Sequence, residues 1–209
     1  MKIKEPKIKN IEEYKLIDSY YENNFVESCY SENVDISIRL KDITIDSCIF
    51  KNIDFNNIEF ERVELVDVIF ENCDLSNKNF DYTPLTRVKF INCKMIGISF
   101  IGSSLVDVQI LNSSSGYINF SDSRITNMIV SDTDFNHLSF METIIKNIEL
   151  NNVNFSYSEI SNTNLINVDF SSCNISNMMI DFKSLEGIII DRFQAIDLVN
   201  VLGVNVKDN

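Results

Sequence analysis

The chain has 209 residues, 44% of them hydrophobic, with 15 Phe, no Trp, and only 5 Gly and 2 Pro. That is enough apolar material for one domain with a sizeable core, and it excludes a disordered chain. The formal net charge of −13 disfavours binding to nucleic acid or an anionic membrane and favours basic surfaces.

Residues 1–10, MKIKEPKIKN, are basic, but no apolar stretch follows them, so no signal peptide is expected. No run of 18 apolar residues occurs, so no spanning helix is expected. The five cysteines (Cys29, Cys48, Cys73, Cys93, Cys173) have no metal-ligand spacing and are expected to be reduced thiols in a cytoplasmic protein. Residues 1–37 follow the pattern described next only loosely (Phe25, Tyr30, then Asp35) and are expected to form irregular first coils that cover one open end.

From Leu40 to Ile190, 30 of the 31 residues spaced five apart are apolar, and twelve of the 15 Phe fall on them. Ser115 is the one departure; a bulge or a tolerated small residue would account for it, and the second is favoured. The residue two before each centre is mid-sized or small, as at Ile43, Cys48, Val63 and Cys73, with Lys78 and Lys183 as exceptions. Five is neither the helical nor the extended period. It contains one extended alternation, followed by two residues that turn a corner and are often Asn, Asp, Ser or Glu. Every fourth centre falls into a column. One column reads Leu40, Phe60, Phe80, Phe100, Phe120, Phe140, Ile160, Ile180; the next, from Ile45 to Leu185, contains no aromatic residue. Asn52, Asn72, Asn92, Asn112, Asp132 and Asn152 form a polar column with the same period. The coil therefore has four sides and 20 residues per turn.

This pattern resembles the pentapeptide-repeat family, written A(D/N)LXX, in segments such as CDLSN (73–77), TDFNH (133–137), TNLIN (163–167) and VDFSS (168–172). The resemblance implies an all-β fold over residues 38–190, a right-handed quadrilateral parallel β-helix (a pentapeptide-repeat solenoid). Residues 191–203, DRFQAIDLVNVLG, then change to helical spacing, with Asp191 near the start and Gly203 as the expected C-cap. The string QAI-x-L-x-x-x-LG (194–203) is similar to the C-terminal end of Qnr-type proteins from Gram-positive bacteria. That likeness implies that residues 191–209 form a short helix and tail that make a homodimer, through Phe193, Ala195, Ile196, Leu198, Val199 and Leu202. A monomer cap is the alternative.

Enzymatic chemistry has little to work with. His137 is the one histidine and falls at a predicted corner; no phosphate loop, metal-spaced cluster or room for long catalytic loops is present. No catalytic residue, cofactor or metal is expected. The charge is unevenly placed: residues 38–94 carry ten acids and eight bases, residues 95–190 ten acids and three bases. The repeats make nearly eight coils, a rod of ~37 Å at ~4.8 Å per coil, against roughly 22 phosphate charges on the same length of duplex. Qnr-type relatives are DNA mimics that protect type II topoisomerases from quinolones. The resemblance implies that role here, with DNA gyrase or topoisomerase IV as partner. The expected contact surface is Asp122, Asp132, Asp134, Glu142, Glu149, Glu159, Asp169, Asp181 and Glu186. The rival expectations are an acidic scaffold, with Ile91, Ile96, Ile101, Leu111 and Met141 as exposed apolar candidates, or an immunity protein with another partner.

Overall fold

In the computed structural model, the structure describes residues 2–8, 26–32, 37–199, 203, 204 and 207. Strands pair in parallel, and from Ile38 onward every pairing joins residues 20 apart, from Ile38↔Ile58 to Ile160↔Ile180. This is the four-sided parallel β-solenoid expected from the sequence. The first face carries centres Leu40, Phe60 and so on, the second Ile45 and Leu65, the third Phe50 and Phe70, the fourth Phe55 and Leu75. The second and third faces share eight-residue strands (Thr44–Lys51, Glu64–Glu71, Pro84–Ile91, Ser104–Leu111, Arg124–Ser131). The fourth face is held by single bridges, Asp54↔Asp74 through to Asn154↔Asn174.

The corners explain the polar pattern. From Asp42 to Asn177 the residue two after each centre has φ near +55°, with Asn57, Asn147 and Ser172 as exceptions. A left-handed residue costs ~1 kcal/mol unless it is Gly, or Asn or Asp, whose short side chains bond locally. Most of these positions are accordingly Asn or Asp. At several corners the turn closes with a backbone hydrogen bond, such as Lys78 N–H to Leu75 O at 3.2 Å and Leu138 N–H to Phe135 O at 3.0 Å, as in type II turns.

Inside, most centres and most residues two before them are buried and fill the coil, with Phe60, Ile145, Leu185 and Ile190 among those only partly buried. Phenylalanines stack from coil to coil. Phe60 and Phe80 have centroids 4.8 Å apart, Phe100 and Phe120 5.2 Å, and Phe70 and Phe90 5.2 Å. Aromatic pairs at this separation add roughly 0.5–1.5 kcal/mol each beyond area burial.

Both ends depart from the expected plan. In the first coil Val26 pairs with Ile45 and Tyr30 with Ile49, an offset of 19. Ser31, not Tyr30, therefore takes the centre position and is buried, while Tyr30 points outward. This coil is one residue shorter than those that follow, which shifts the register. Phe25 and Asp35 lie outside the described residues. Residues 2–8 do not form a coil: they cross several coils along one corner, where Lys7 N–H reaches Asp67 Oδ1 at 2.7 Å. At the other end a helical turn, Phe182–Leu185, replaces the strand expected there. Asp181 caps it through Ser184 N–H at 2.7 Å, which accounts for the irregular Lys183.

Candidate functional site

The expected contact carboxylates do not share one face. Asp122 and Glu142 stack on the corner after the first face, and Glu159 lies on that face. All three are exposed, and none hydrogen-bonds or pairs ionically with a described residue through its carboxylate. Glu149 and Asp169 belong to the third face and Glu186 to the second. Asp132 and Asp134 line a polar groove of about 280 Å³ at the corner between the third and fourth faces, with Asn152, Asn154 and Asn174.

Several of these acids also hold the backbone. Asp181 accepts Asn162 N–H and Ser184 N–H, both at 2.7 Å, and these two bonds hold its carboxyl below the usual range. Asp134 accepts Asn136 N–H at 3.1 Å and Asn154 Nδ2 at 2.8 Å. Hydrogen bonds from Ser171 hold Asp169 low in the same way. Asp132 accepts Asn152 Nδ2 at 2.8 Å within the polar column, where Asn72 Nδ2 likewise donates to Asn52 Oδ1 at 3.1 Å. The free carboxylates of the set are thus fewer than the sequence suggests: Asp122, Glu142 and Glu159 stand together on one side, and Glu186 stands apart on the second face.

The N-terminal half differs. Its ion pairs run from coil to coil: Arg62 with Asp42, Arg87 with Asp67, Lys51 with Glu71 and Lys94 with Asp74. Positive and negative charges neutralise each other there. Between residues 95 and 190 no such pair involves Asp122, Asp132, Asp134, Glu142, Glu159, Asp169 or Glu186 among the described residues.

The predicted interface residues divide into two groups. Leu198 is buried against the last coil, and Ala195 and Val199 are half-buried. Phe193 and Ile196 are exposed, as are Met179, Phe182 and Ile189 in the last residues of the solenoid. Leu202 lies outside the described residues. Sequence reasoning missed Gln194. It is buried, and its Nε2 donates to Phe170 O at 2.8 Å and Cys173 O at 2.7 Å. It closes the last coil by satisfying Cys173 O, whose equivalents Cys73 O and Cys93 O accept an N–H from the next coil, and by adding a second donor to Phe170 O, which also accepts the Cys173 N–H at 2.8 Å. Asp191 Oδ1 accepts Gln194 N–H at 2.9 Å, and Gln194 Oε1 accepts Asp191 N–H at 2.8 Å, a reciprocal cap.

All five thiols are buried and free. Cys29, which fits no pentad position in the sequence, pairs in the shifted register with Cys48 and donates its N–H to Cys48 Sγ at 3.4 Å. The neighbouring thiol and burial push Cys48 and Cys93 above the ordinary thiol range. Among the described residues no three His, Cys, Asp or Glu side chains converge on a metal-sized site, and no helix is long and apolar enough to cross a membrane. His137 is an exposed corner residue, as expected, but it has company. Its ring stacks on Tyr117 at 4.4 Å and on Tyr157 at 5.3 Å, an outward aromatic column that its period of 20 would have revealed. Of the candidate exposed apolar residues, Ile96 and Met141 are exposed, whereas Ile91, Ile101 and Leu111 are half-buried.

A parallel coil of 20 residues with left-handed corners and a side-chain-filled interior defines the class: a repeat solenoid that presents ladders of outward side chains. Comparison with known proteins places the chain within that class. The pentapeptide repeat region model matches residues 38–120 and 63–138, and the pentapeptide repeats model matches residues 148–179, together well over half of the chain. The chain belongs to the pentapeptide-repeat family. No curated protein matches it in sequence. Among solved structures it is similar to trypsin-treated QnrB1, a plasmid-mediated fluoroquinolone resistance protein, at 19% identity and TM-score 0.43, covering 88% of this chain and 92% of that one. It is also similar to HetL, a pentapeptide repeat protein involved in heterocyst differentiation regulation from the cyanobacterium Nostoc, at 10% identity and TM-score 0.39, covering 86% and 97%.

Proposed function

We propose that this protein is a non-enzymatic, DNA-mimicking solenoid that acts in the cytoplasm and docks on the DNA-binding surface of a type II topoisomerase, DNA gyrase or topoisomerase IV, shielding it from quinolones. The observation that carries this reading is the contrast in neutralisation along the rod. The N-terminal half pairs its charges, whereas Asp122, Glu142 and Glu159 stand exposed and unpaired on one side. Such a side attracts a basic, DNA-shaped surface, and its field is felt over a Debye length of ~8 Å at physiological salt. The exposure of Met179, Phe182, Phe193 and Ile196 in the C-terminal part of the chain supports a tail-to-tail homodimer, which would bring two acidic halves together in the middle of a longer rod.

The test is binding of the purified chain to DNA gyrase, with and without competing duplex. Salt-sensitive binding that duplex displaces is expected. Reversing Asp122, Glu142 and Glu159 to Lys should lower affinity at least tenfold while the chain stays folded, because none of the three carboxylates holds the fold and the left-handed corner at Asp122 adds only about 1 kcal/mol of cost for Lys. Undiminished affinity of that triple variant would overturn the reading, and the search for a partner would return to the scaffold alternative.

A further inference from the structure

The N-terminal segment is bound to the solenoid as a ligand would be. Residues 2–8 make no ladder pairing. They lie on the corner between the second and third faces and are held there by four hydrogen bonds and one ion pair. Lys4 N–H donates to Asp107 Oδ1 at 3.3 Å, and Lys7 N–H to Asp67 Oδ1 at 2.7 Å. Ser47 Oγ donates to Lys7 O at 3.3 Å. The Glu5 carboxylate accepts Gln109 Nε2 at 3.1 Å and pairs with Lys89 Nζ. Asp67 and Asp107 are buried, and Ile3, Pro6 and Ile8 are half-buried, whereas the side chains of Lys2, Lys4 and Lys7 are exposed.

The spacing is a match of two periods. Asp67 and Asp107 are two coils apart, about 9.6 Å at ~4.8 Å per coil, and three extended residues span about 10 Å. Backbone N–H groups at positions n and n+3 of a polyproline-like segment, which has three residues per turn and brings them to one side about 9.3 Å apart, therefore meet carboxylates on alternate coils, as those of Lys4 and Lys7 do around Pro6. The coil between them supplies Lys89 for an acid at n+1. The lysine side chains take no part, so the corner selects a pattern rather than this particular sequence. That pattern is apolar at n−1 and n+4, acidic at n+1, with free N–H groups at n and n+3.

We infer that this corner is a peptide-docking groove, filled here in cis by residues 2–8, that accepts in trans an extended segment of the same pattern from a partner protein. This does not depend on the topoisomerase reading, which uses a different side of the rod.

The experiment uses the full chain with Lys4→Pro and Lys7→Pro, which remove both docking N–H groups, and a fluorescein-labelled peptide KIKEPKI followed by anisotropy. The peptide should bind this strap-released chain at least tenfold more tightly than the unaltered chain, whose own strap competes. Adding Asp67→Ala and Asp107→Ala, which remove the acceptor oxygens, should abolish the gain. Should that variant fail to fold by circular dichroism, Lys89→Glu in the strap-released chain should reverse the preference toward a peptide carrying Glu5→Lys. Equal binding to the released and unaltered chains, no binding to the released chain at millimolar peptide, or no reversal with Lys89→Glu would overturn the inference.

Discussion

Ser115 is the residue at which the repeat fails, and the structure shows how little the coil yields there. It takes the place of a centre in the fourth-face column between Met95 and Phe135, is fully buried, and its hydroxyl has no hydrogen-bond partner. No bulge forms: Lys94↔Ser114 and Ser114↔Asp134 keep the ladder in register, and Asn112 and Tyr117 keep their left-handed corners. A buried hydroxyl without a partner costs about 1–3 kcal/mol, and alanine removes that group while keeping most of the volume. Ser115→Ala should therefore stabilise the chain by about 1 kcal/mol, seen as a higher urea midpoint with an unchanged m-value. The same logic applies to Gly102, whose left-handed φ and absent Cβ leave room for the Tyr82 ring, 2.5 Å from where a Cβ would lie.

At the scale of elements, the ends matter more than the repeats. An internal coil satisfies its neighbours' backbone groups, but the last coil has no neighbour, and an open edge invites association. The helix Gln194–Val199 covers that edge with Leu198, and Gln194 supplies donors to Phe170 O and Cys173 O. Replacing Gln194 by Leu retains bulk but leaves the Cys173 carbonyl unpaired, at about 1–3 kcal/mol, while Phe170 O keeps the Cys173 N–H at 2.8 Å. A loss of that size in guanidinium unfolding, with Asp191→Ala costing less, is the expected result. Asp191→Ala removes only the cap on the helix start, which is worth about 1 kcal/mol.

For the whole molecule, charge placement sets the response to pH. Burial alone would raise the Asp67 pKa, but Arg87 and the Lys7 N–H more than offset it, so it titrates below the ordinary range. Asp74 behaves alike through Ser76 and Lys94, and the Asn162 N–H holds Asp181 low. A carboxylate whose folded pKa is depressed stabilises the fold fully above its unfolded value. That contribution is lost as pH falls through the folded value. With unfolded aspartates near ~3.9, the urea midpoint should be flat above about pH 5 and fall steadily below about pH 4. Asp67→Asn should flatten that fall as well as lower the plateau. A midpoint that rises on acidification would mean instead that repulsion among the unpaired acids of residues 95–190 dominates.

The period of five, the columns at 20 and the polar corners were all legible in the amino-acid sequence, because each coil repeats the same local demand: one inward side chain every fifth residue and one left-handed corner. Buried cysteines at Cys48, Cys73, Cys93 and Cys173 followed from that register alone. What needed the tertiary structure was everything set by contacts outside the repeat. The one-residue slip that turns Ser31 inward and pairs Cys29 with Cys48 depends on a shortened coil that carries no sequence signature. The docking of residues 2–8 on Asp67 and Asp107 joins positions 60 and 103 residues apart, across a spacing that exists only once the coils are stacked. The division of the acids into free groups at Asp122, Glu142 and Glu159 and backbone-holding groups at Asp134, Asp169 and Asp181 was likewise invisible, because composition counts charges and only geometry says which are already in use.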